Sequence, residues 1–278
     1  MPEGHTLHRL AELHHRRYAR HRVAVSSPQG RFATGASVVD GAVFTGAEAY
    51  GKHLFHHYGA AGTVHIHLGL YGKFAEAPLP VEPPVGKVRM RVVGPTHWTD
   101  LRGPTRCELI TEPERDVLVS KLGPDPLRPD ADPERAWDRV SRSRAPLAVL
   151  LMDQSVIAGV GNVYRAELLF RHGIDPATPG ERLDRDTWQA LWTDLAELMA
   201  YGVTTGRIDT VRDEHAPEAT GRAPRRDRHG GEVYVYRRAG QPCYVCGTAI
   251  ALRALASRKL YWCPRCQACH AGPADQVG

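Results

Sequence analysis

The spacing Cys243-x-x-Cys246 followed by Cys263-x-x-Cys266 constrains this chain more than any other feature. Two such knuckles separated by a hairpin-length spacer form the pattern of a tetrahedral four-thiolate zinc site. Four thiolates leave no open position on the metal, so one zinc ion here is expected to be structural. Gly247 permits the tight turn after the first knuckle. The spacer carries Arg253, Arg258 and Lys259, a basic tip directed away from the metal. Such a hairpin can enter a groove or clamp a phosphate, and a zinc-stapled protein-binding module would use the same frame. Five of the six cysteines lie between Cys243 and Cys269, which suits metal binding in a reducing compartment better than disulfides. Cys269 reads as a spare thiol. Cys107 reads as an isolated core residue on a strand.

The whole chain, 278 residues, has room for one large domain or two ordinary ones, and 42% hydrophobic content supplies real cores. From residue 23 to about 110 the pattern is β. Val64, Ile66 and Leu68 alternate with His65 and His67, and Val88, Met90 and Val92 alternate with Lys87, Arg89 and Arg91. Both read as half-buried strands with basic outer faces. Gly51-Lys52-His53-Leu54 falls between two strands. The composition changes near Leu122-Gly123-Pro124-Asp125. Beyond it the chain reads as helices over 133–140, 146–153, 163–172 and from Asp186 onward. The last carries Trp188, Leu191, Trp192, Leu195, Leu198 and Met199 on one stripe.

The expected organisation is therefore α+β. A β-sandwich domain with an N-terminal helix spans 1–121 and a linker spans 122–130. A helical domain spans 131–234 and includes a charged mobile loop over 203–231. A zinc finger spans 235–270, and a frayed tail begins at Gly272. The net charge is +5, mild enough to allow a polyanionic partner without requiring one. No signal peptide is visible, and the longest apolar run, residues 145–152, is too short for a bilayer. The expected location is the cytoplasm, with the nucleoid, and no membrane partner.

The start Met1-Pro2-Glu3-Gly4 carries its own chemistry. Removal of Met1 would expose the secondary amine of Pro2 at the mouth of a helix over 5–22, whose Leu7, Leu10, Ala11, His14 and Tyr18 share one face. That amine can attack a carbonyl-like carbon and form an iminium. The helix's positive end disfavours its protonation, and Glu3 is placed to move protons for it. A second device is the Gly-rich turn Ile157-Ala158-Gly159-Val160-Gly161-Asn162, with Asn162 as N-cap of the following helix. Such a turn presents free N–H groups to phosphate.

Together these motifs resemble the formamidopyrimidine-DNA glycosylase/endonuclease VIII family. The resemblance rests on Met1-Pro2-Glu3-Gly4, Gly51-Lys52-His53-Leu54, Leu122-Gly123-Pro124-Asp125, Met152-Asp153-Gln154 with Ala158-Gly159-Val160-Gly161-Asn162, Pro242-Cys243, and Trp262-Cys263-Pro264-x-Cys266-Gln267. It runs from Pro2 to Gln267 and implies a bifunctional base-excision enzyme with a helix–two-turn–helix domain and a zinc ribbon. Pro2 then matches the nucleophile and Glu3 the general acid/base. Lys52 matches a lysine near the lesion phosphate, and Arg258 the hairpin arginine that grips the flanking phosphates. Asn162 and Tyr236 match phosphate-binding residues, and His67 joins them on the DNA side.

The segment Leu68-Gly69-Leu70-Tyr71-Gly72 is similar to the endonuclease VIII branch, where residues at Gly69, Leu70 and Tyr71 fill the gap left by the extruded nucleotide. This favours oxidised pyrimidines over 8-oxoguanine-type substrates. Gly69 stands where a larger polar side chain is usual, which opens single strands and bubbles as substrates beside damaged duplex. A monomer is expected. Two other readings stay open: a catalytically silent zinc-containing DNA-binding relative, and an unrelated zinc-ribbon adaptor. The Pro2-Glu3 pair with Lys52 weighs against the first, and the order of motifs against the second.

Overall fold

The structure, a computed structural model, describes residues 2–226 and 231–268. The chain divides into two compact units that part between Leu122 and Gly123.

In the first unit, helix α1 (Gly4–Tyr18) buries Leu7, Ala11, His14 and Tyr18, a helical repeat of three and four. It ends earlier than the sequence pattern indicates, because Arg20 turns to a φ of +69°. Residues His21–Arg22 become strand β1 instead, paired with β3 (Val43–Phe44). Between these two strands lie β2 (Ala24–Ser26) and a short helix α2 (Ala33–Val39). The chain continues through β4 (Gly46–Tyr50), β5 (His53–His57), β6 (Thr63–His67), β7 (Lys73–Pro78), β8 (Val88–Val93), β9 (His97–Arg102) and β10 (Arg106–Ile110). These form two antiparallel four-stranded sheets, β10-β6-β5-β4 and β2-β8-β9-β7. Leu54, Val64 and Ile66 of the first sheet share one core with Val25, Met90, Val92 and Leu101 of the second, so the sheets make a sandwich. Helix α1 covers β4 and β5.

Helix α3 (Glu112–Ser120) closes this unit. Thr111 and Glu114 make a capping box at its start, a signal the sequence carries in Thr111-Glu112-Pro113-Glu114. The two basic outer faces are solvated only in part: Lys87 is exposed and Arg89 and His67 are half-buried, while His65 and Arg91 are buried. His65 is buried, with its ring bonded on both sides. Arg91 is buried and paired bidentately with Asp100 at 2.6 and 2.9 Å. A buried guanidinium needs such a partner, because an unpaired charge removed from water is far costlier.

In the second unit, α4 (Pro133–Val140), a single-turn α5 (Leu147–Leu150), α6 (Asn162–Arg171), α7 (Arg185–Thr205) and a short α8 (Pro217–Thr220) precede a hairpin of β11 (Ala251–Leu255) and β12 (Arg258–Trp262). Helix α6 is the centre: every residue from Asn162 to Phe170 is buried. Helix α7 begins at the N-cap Asp184, whose carboxylate accepts from the Thr187 N–H, and buries Trp188, Leu191, Leu195 and Met199. The segment expected to be a mobile loop over 203–231 is folded in part. Helix α7 runs on to Thr205, and Arg222 lies over the Tyr244 ring at 3.8 Å and bonds Glu232 at 2.7 Å. Residues 227–230, Cys269 and the expected frayed tail lie outside the described residues.

Candidate active site and nucleic-acid interface

Glu3 is the N-cap of α1, in extended backbone, and its carbonyl accepts the Thr6 N–H at 2.9 Å. Its side chain is wholly buried and is not spent on capping the helix. Pro2 precedes it, half-buried. The positive end of α1 therefore points at the Pro2 nitrogen, with a carboxylate one residue away. His5, the second residue of α1, is pushed down to about 4, first by burial and then by neighbouring positive groups that include His8 and Arg9. It stays neutral at physiological pH and adds no charge beside the amine.

Lys52 occupies the two-residue turn between β4 and β5, flanked by the pair Tyr50 and His53. Gly51 supplies a φ of +56°, and a glycine at the first turn position is the pattern of a tight type II′ hairpin. Because α1 packs on both strands of this hairpin, the Pro2–Glu3 end and the Lys52 turn belong to one rigid substructure.

Leu70 and Tyr71 sit in the turn after β6 and are exposed by 52% and 83%, an apolar tip held out in solvent. Gly69 has a φ of +66°, and a Cβ built there would meet Thr105 Oγ1 at 1.9 Å. The glycine is thus required by the backbone and by Thr105, and the exposed tip comprises Leu70 and Tyr71 alone. His67 closes β6, pairing across the sheet with His53 on one side and Arg106 on the other.

In the second unit the thiolates of Cys243, Cys246, Cys263 and Cys266 lie within 4.8 Å of one another. This all-sulfur set suits a tetrahedral zinc ion. The hairpin above it turns at Ala256-Ser257, both at positive φ, with Arg258 exposed as the first residue of β12.

Asn162 is not the N-cap of α6; Gly161 is, and Asn162 is the first helical residue. Its side-chain N–H donates to the Lys259 carbonyl at 2.9 Å, next to Arg258. Arg165, fully buried, donates to the same carbonyl at 3.1 Å, to Ala148 O at 3.2 Å and to the Asn162 side-chain oxygen. Sequence reasoning missed Arg165, because a lone arginine in an apolar helix has no partner visible in the sequence. It also missed Glu167. That buried carboxylate accepts from Thr210 Oγ1 at 2.6 Å and from the backbone N–H groups of Tyr234, Val235 and Tyr236 at 2.6, 2.9 and 2.8 Å. One side chain thereby holds both ends of the 210–234 segment and fixes Tyr236, which is itself only 5% exposed.

Three family patterns match this chain: the formamidopyrimidine-DNA glycosylase N-terminal domain over residues 1–107, the H2TH domain of the same enzymes over 122–213, and the zinc finger found in FPG and IleRS over 240–268. Endonuclease 8 1 of Mycobacterium tuberculosis is 55% identical over 271 residues, covering 96% of this chain and all of that protein. The chain belongs to the formamidopyrimidine-DNA glycosylase/endonuclease VIII family, in its endonuclease VIII branch. Probable endonuclease 8 2 of Streptomyces coelicolor is 33% identical, covering 100% of this chain and 97% of that protein. The fold is also that of Lactococcus lactis formamidopyrimidine-DNA glycosylase bound to DNA containing an abasic site, with a TM-score of 0.76, 20% identity and 96% of this chain covered. As in the family, one structural zinc ion belongs to the four cysteines. No helix among the described residues is long and apolar enough to cross a membrane.

Proposed function

We propose that this chain is a DNA glycosylase and abasic-site lyase that removes oxidised pyrimidines through a covalent intermediate on Pro2. The observation that carries this reading is the buried carboxylate of Glu3, one residue from Pro2 at the start of α1. A base inside a duplex cannot be reached, so the nucleotide must be turned out, at a cost of a few kcal/mol. The exposed Leu70 and Tyr71 suit the space it leaves. The Pro2 nitrogen attacks C1′ as the base departs with a proton, and Glu3 then delivers a proton to the ring oxygen O4′, so the C1′–O4′ bond breaks, the sugar opens and an iminium joins Pro2 to C1′. The iminium acidifies the C2′ protons, so the 3′ phosphate leaves by β-elimination and the 5′ phosphate by δ-elimination. The product is a one-nucleotide gap with phosphate at both ends. Lys52, His67, Asn162, Tyr236 and Arg258 hold phosphates in this scheme, and zinc takes no part in the chemistry. The protein acts as a monomer on damaged duplex, and the lack of a side chain at Gly69 favours tolerance of bubbles and single strands.

Borohydride added during reaction with a thymine-glycol duplex should leave a covalent protein–DNA adduct, absent from P2G. Glu3→Gln should lose base removal yet still cut preformed abasic sites. An adduct that persists in P2G, or a fully active protein that retains Met1 by mass spectrometry, would remove Pro2 from this role.

A further inference from the structure

The outer face of the sheet that bears Lys52 holds a line of side chains of which the reaction scheme uses only the last, His67. His53 Nδ1 lies 2.9 Å from His65 Nε2, and His65 Nδ1 lies 3.1 Å from Glu108 Oε1. His65 is 1% exposed and its ring stacks on those of His53 and Phe55. The line ends at His67, whose ring meets that of His53 edge-on, with centroids 5.1 Å apart and planes at 61°.

The direction of each hydrogen bond follows from the carboxylate. An ionised Glu108 can only accept, so His65 Nδ1 carries a proton. Burial keeps His65 neutral, which leaves His65 Nε2 with a lone pair. His53 must then donate from Nδ1, and its own Nε2 is left bare. His53 is held neutral as well, down at about 3, by burial first and then by His65, His67, Arg106 and Lys52. The Glu108–His65–His53 chain therefore presents one fixed acceptor among donors.

We propose that Glu108, His65 and His53 form a positioning relay that fixes His67 as a donor to a DNA phosphate. The inference rests on the glycosylase reading above for its ligand. One N–H of a protonated His67 points back to His53 Nε2 and the other faces the phosphate. In the free protein His67 is held below its ordinary value, by burial first and then by His65, Lys52 and Arg106. These groups, with His53 across the sheet and Glu108 beyond it, are the titratable and charged neighbours on β5, β6, β10 and the Lys52 turn. A bound phosphate reverses the balance, so His67 takes up a proton as DNA binds.

Two measurements on the full-length zinc-loaded protein test this. Imidazole nitrogen NMR of the free protein should show His53 and His65 both as Nδ1–H tautomers, and an Nε2–H tautomer at His53 overturns the relay. Affinity for a duplex containing a tetrahydrofuran abasic analogue should then rise as pH falls from 8 to 6 at fixed salt. His53→Phe keeps an aromatic ring in the stack but removes the acceptor, and should weaken binding about tenfold at pH 6 and little at pH 8. His67→Ala should do the same, and the double variant should lose no more than either single one. His53→Gln, whose amide oxygen can stand for Nε2, should recover part of the loss. Equal weakening of His53→Phe at both pH values means a merely structural role and overturns the proposal, as does a wild-type affinity that ignores pH. Borohydride trapping of the same protein variants on a thymine-glycol duplex reads the Pro2 chemistry separately, so failure of the relay is distinguishable from failure of the glycosylase reading.

Discussion

Two β-hairpins in this chain each carry a proposed phosphate-binding cation at a two-residue turn, and they are held by opposite means. The β4–β5 hairpin places Lys52 in a turn whose left-handed position is filled by Gly51. It lies inside a four-stranded sheet, under α1, with Ala49 and Leu54 in the core. The β11–β12 hairpin places Arg258 beside a turn in which Ala256 and Ser257 both take positive φ, at 47° and 60°. It forms a two-stranded sheet of its own, and most of β11 is exposed. Two strands alone are marginal in water. What secures this hairpin is the set of four thiolates, the Lys259 carbonyl held by Asn162 and Arg165, and the burial of Leu260 and Tyr261 of β12 in the second unit's core. One cation is positioned by a four-stranded sheet and its core, the other by a metal and two buried polar side chains added to a core whose buried residues reach only β12.

The largest test of that contrast is removal of the metal. Zinc binding by such thiolate sets is worth ~10 kcal/mol or more at neutral pH. Cys243→Ser should lose zinc, melt the β11–β12 hairpin and reduce binding to abasic-site duplex at least a hundredfold, while the first unit keeps its sheets. Hydrogen exchange by mass spectrometry checks this. Protection of residues 251–262 should vanish while that of 46–57 stays. Loss of protection in both hairpins would show that they share one support.

A smaller effect, confined to the first unit, is expected at Gly69. A Cβ there combines left-handed backbone with a contact of 1.9 Å to Thr105 Oγ1. Gly69→Ala should cost about 3 kcal/mol, the sum of overpacking and backbone strain. Thr105→Ala removes the clashing hydroxyl and should recover roughly half in the double variant, leaving the backbone share. Urea denaturation of the four proteins measures both. Full recovery would mean that backbone strain at Gly69 costs nothing.

How much of this was legible beforehand differs between the two hairpins. Both CxxC knuckles and the Gly51-Lys52 turn are local patterns, readable from spacing and a glycine. The sandwich followed from alternation in residues 64–68 and 88–92, since a period of two fixes which side chains face inward. Alternation does not say what covers the other face, and so it gives no sign that His65 and Arg91 on those basic faces are each buried with a partner. Those partners, Glu108 and Asp100, lie 43 and 9 residues away. Asn162, Arg165 and Glu167 show the same limit more sharply. Their partners are backbone groups up to 97 residues distant, which no local periodicity reports. The residue type of Asn162 favours a cap, but one N–H of its amide donates to the distant Lys259 carbonyl and Gly161 takes the cap position.

The two units also respond to acid through comparable pairs. Glu48 is drawn down to about 2, foremost by its hydrogen bond from His57 and also by Arg115 of α3. Asp194 of α7 is likewise at about 2; burial alone would raise it, but bonds from His172 at 3.1 Å and Arg171 at 2.6 Å override that. Both folded values lie below the unfolded ones of 4.5 and 3.8. Their stabilisation is therefore complete above about pH 5 and is lost as pH falls toward 2, by about 3 kcal/mol for Glu48 and about 2 kcal/mol for Asp194. Glu48→Gln and Asp194→Asn should each flatten the decline of stability between pH 5 and 2. Unchanged acid unfolding in either variant would show that its pair is not a source of acid sensitivity.

The smallest effect sharpens the comparison at its origin. If the β11–β12 hairpin depends on metal because its own turn is poor, improving the turn should lessen that dependence. Each left-handed non-glycine residue costs roughly 1 kcal/mol, and Asn-Gly is the pair best suited to two successive positive φ values. Ala256→Asn with Ser257→Gly leaves Arg258 and the four cysteines untouched and keeps the two-residue loop. It should stabilise the zinc-loaded protein by about 1 kcal/mol and slow zinc release to a chelator severalfold, with hydrogen exchange over 251–262 slowed in step. Affinity for abasic-site duplex should change little, because the donor at Arg258 is already held in place by zinc. Faster zinc release would mean that the strained Ala256-Ser257 turn is itself needed to set the register that brings the two knuckles together.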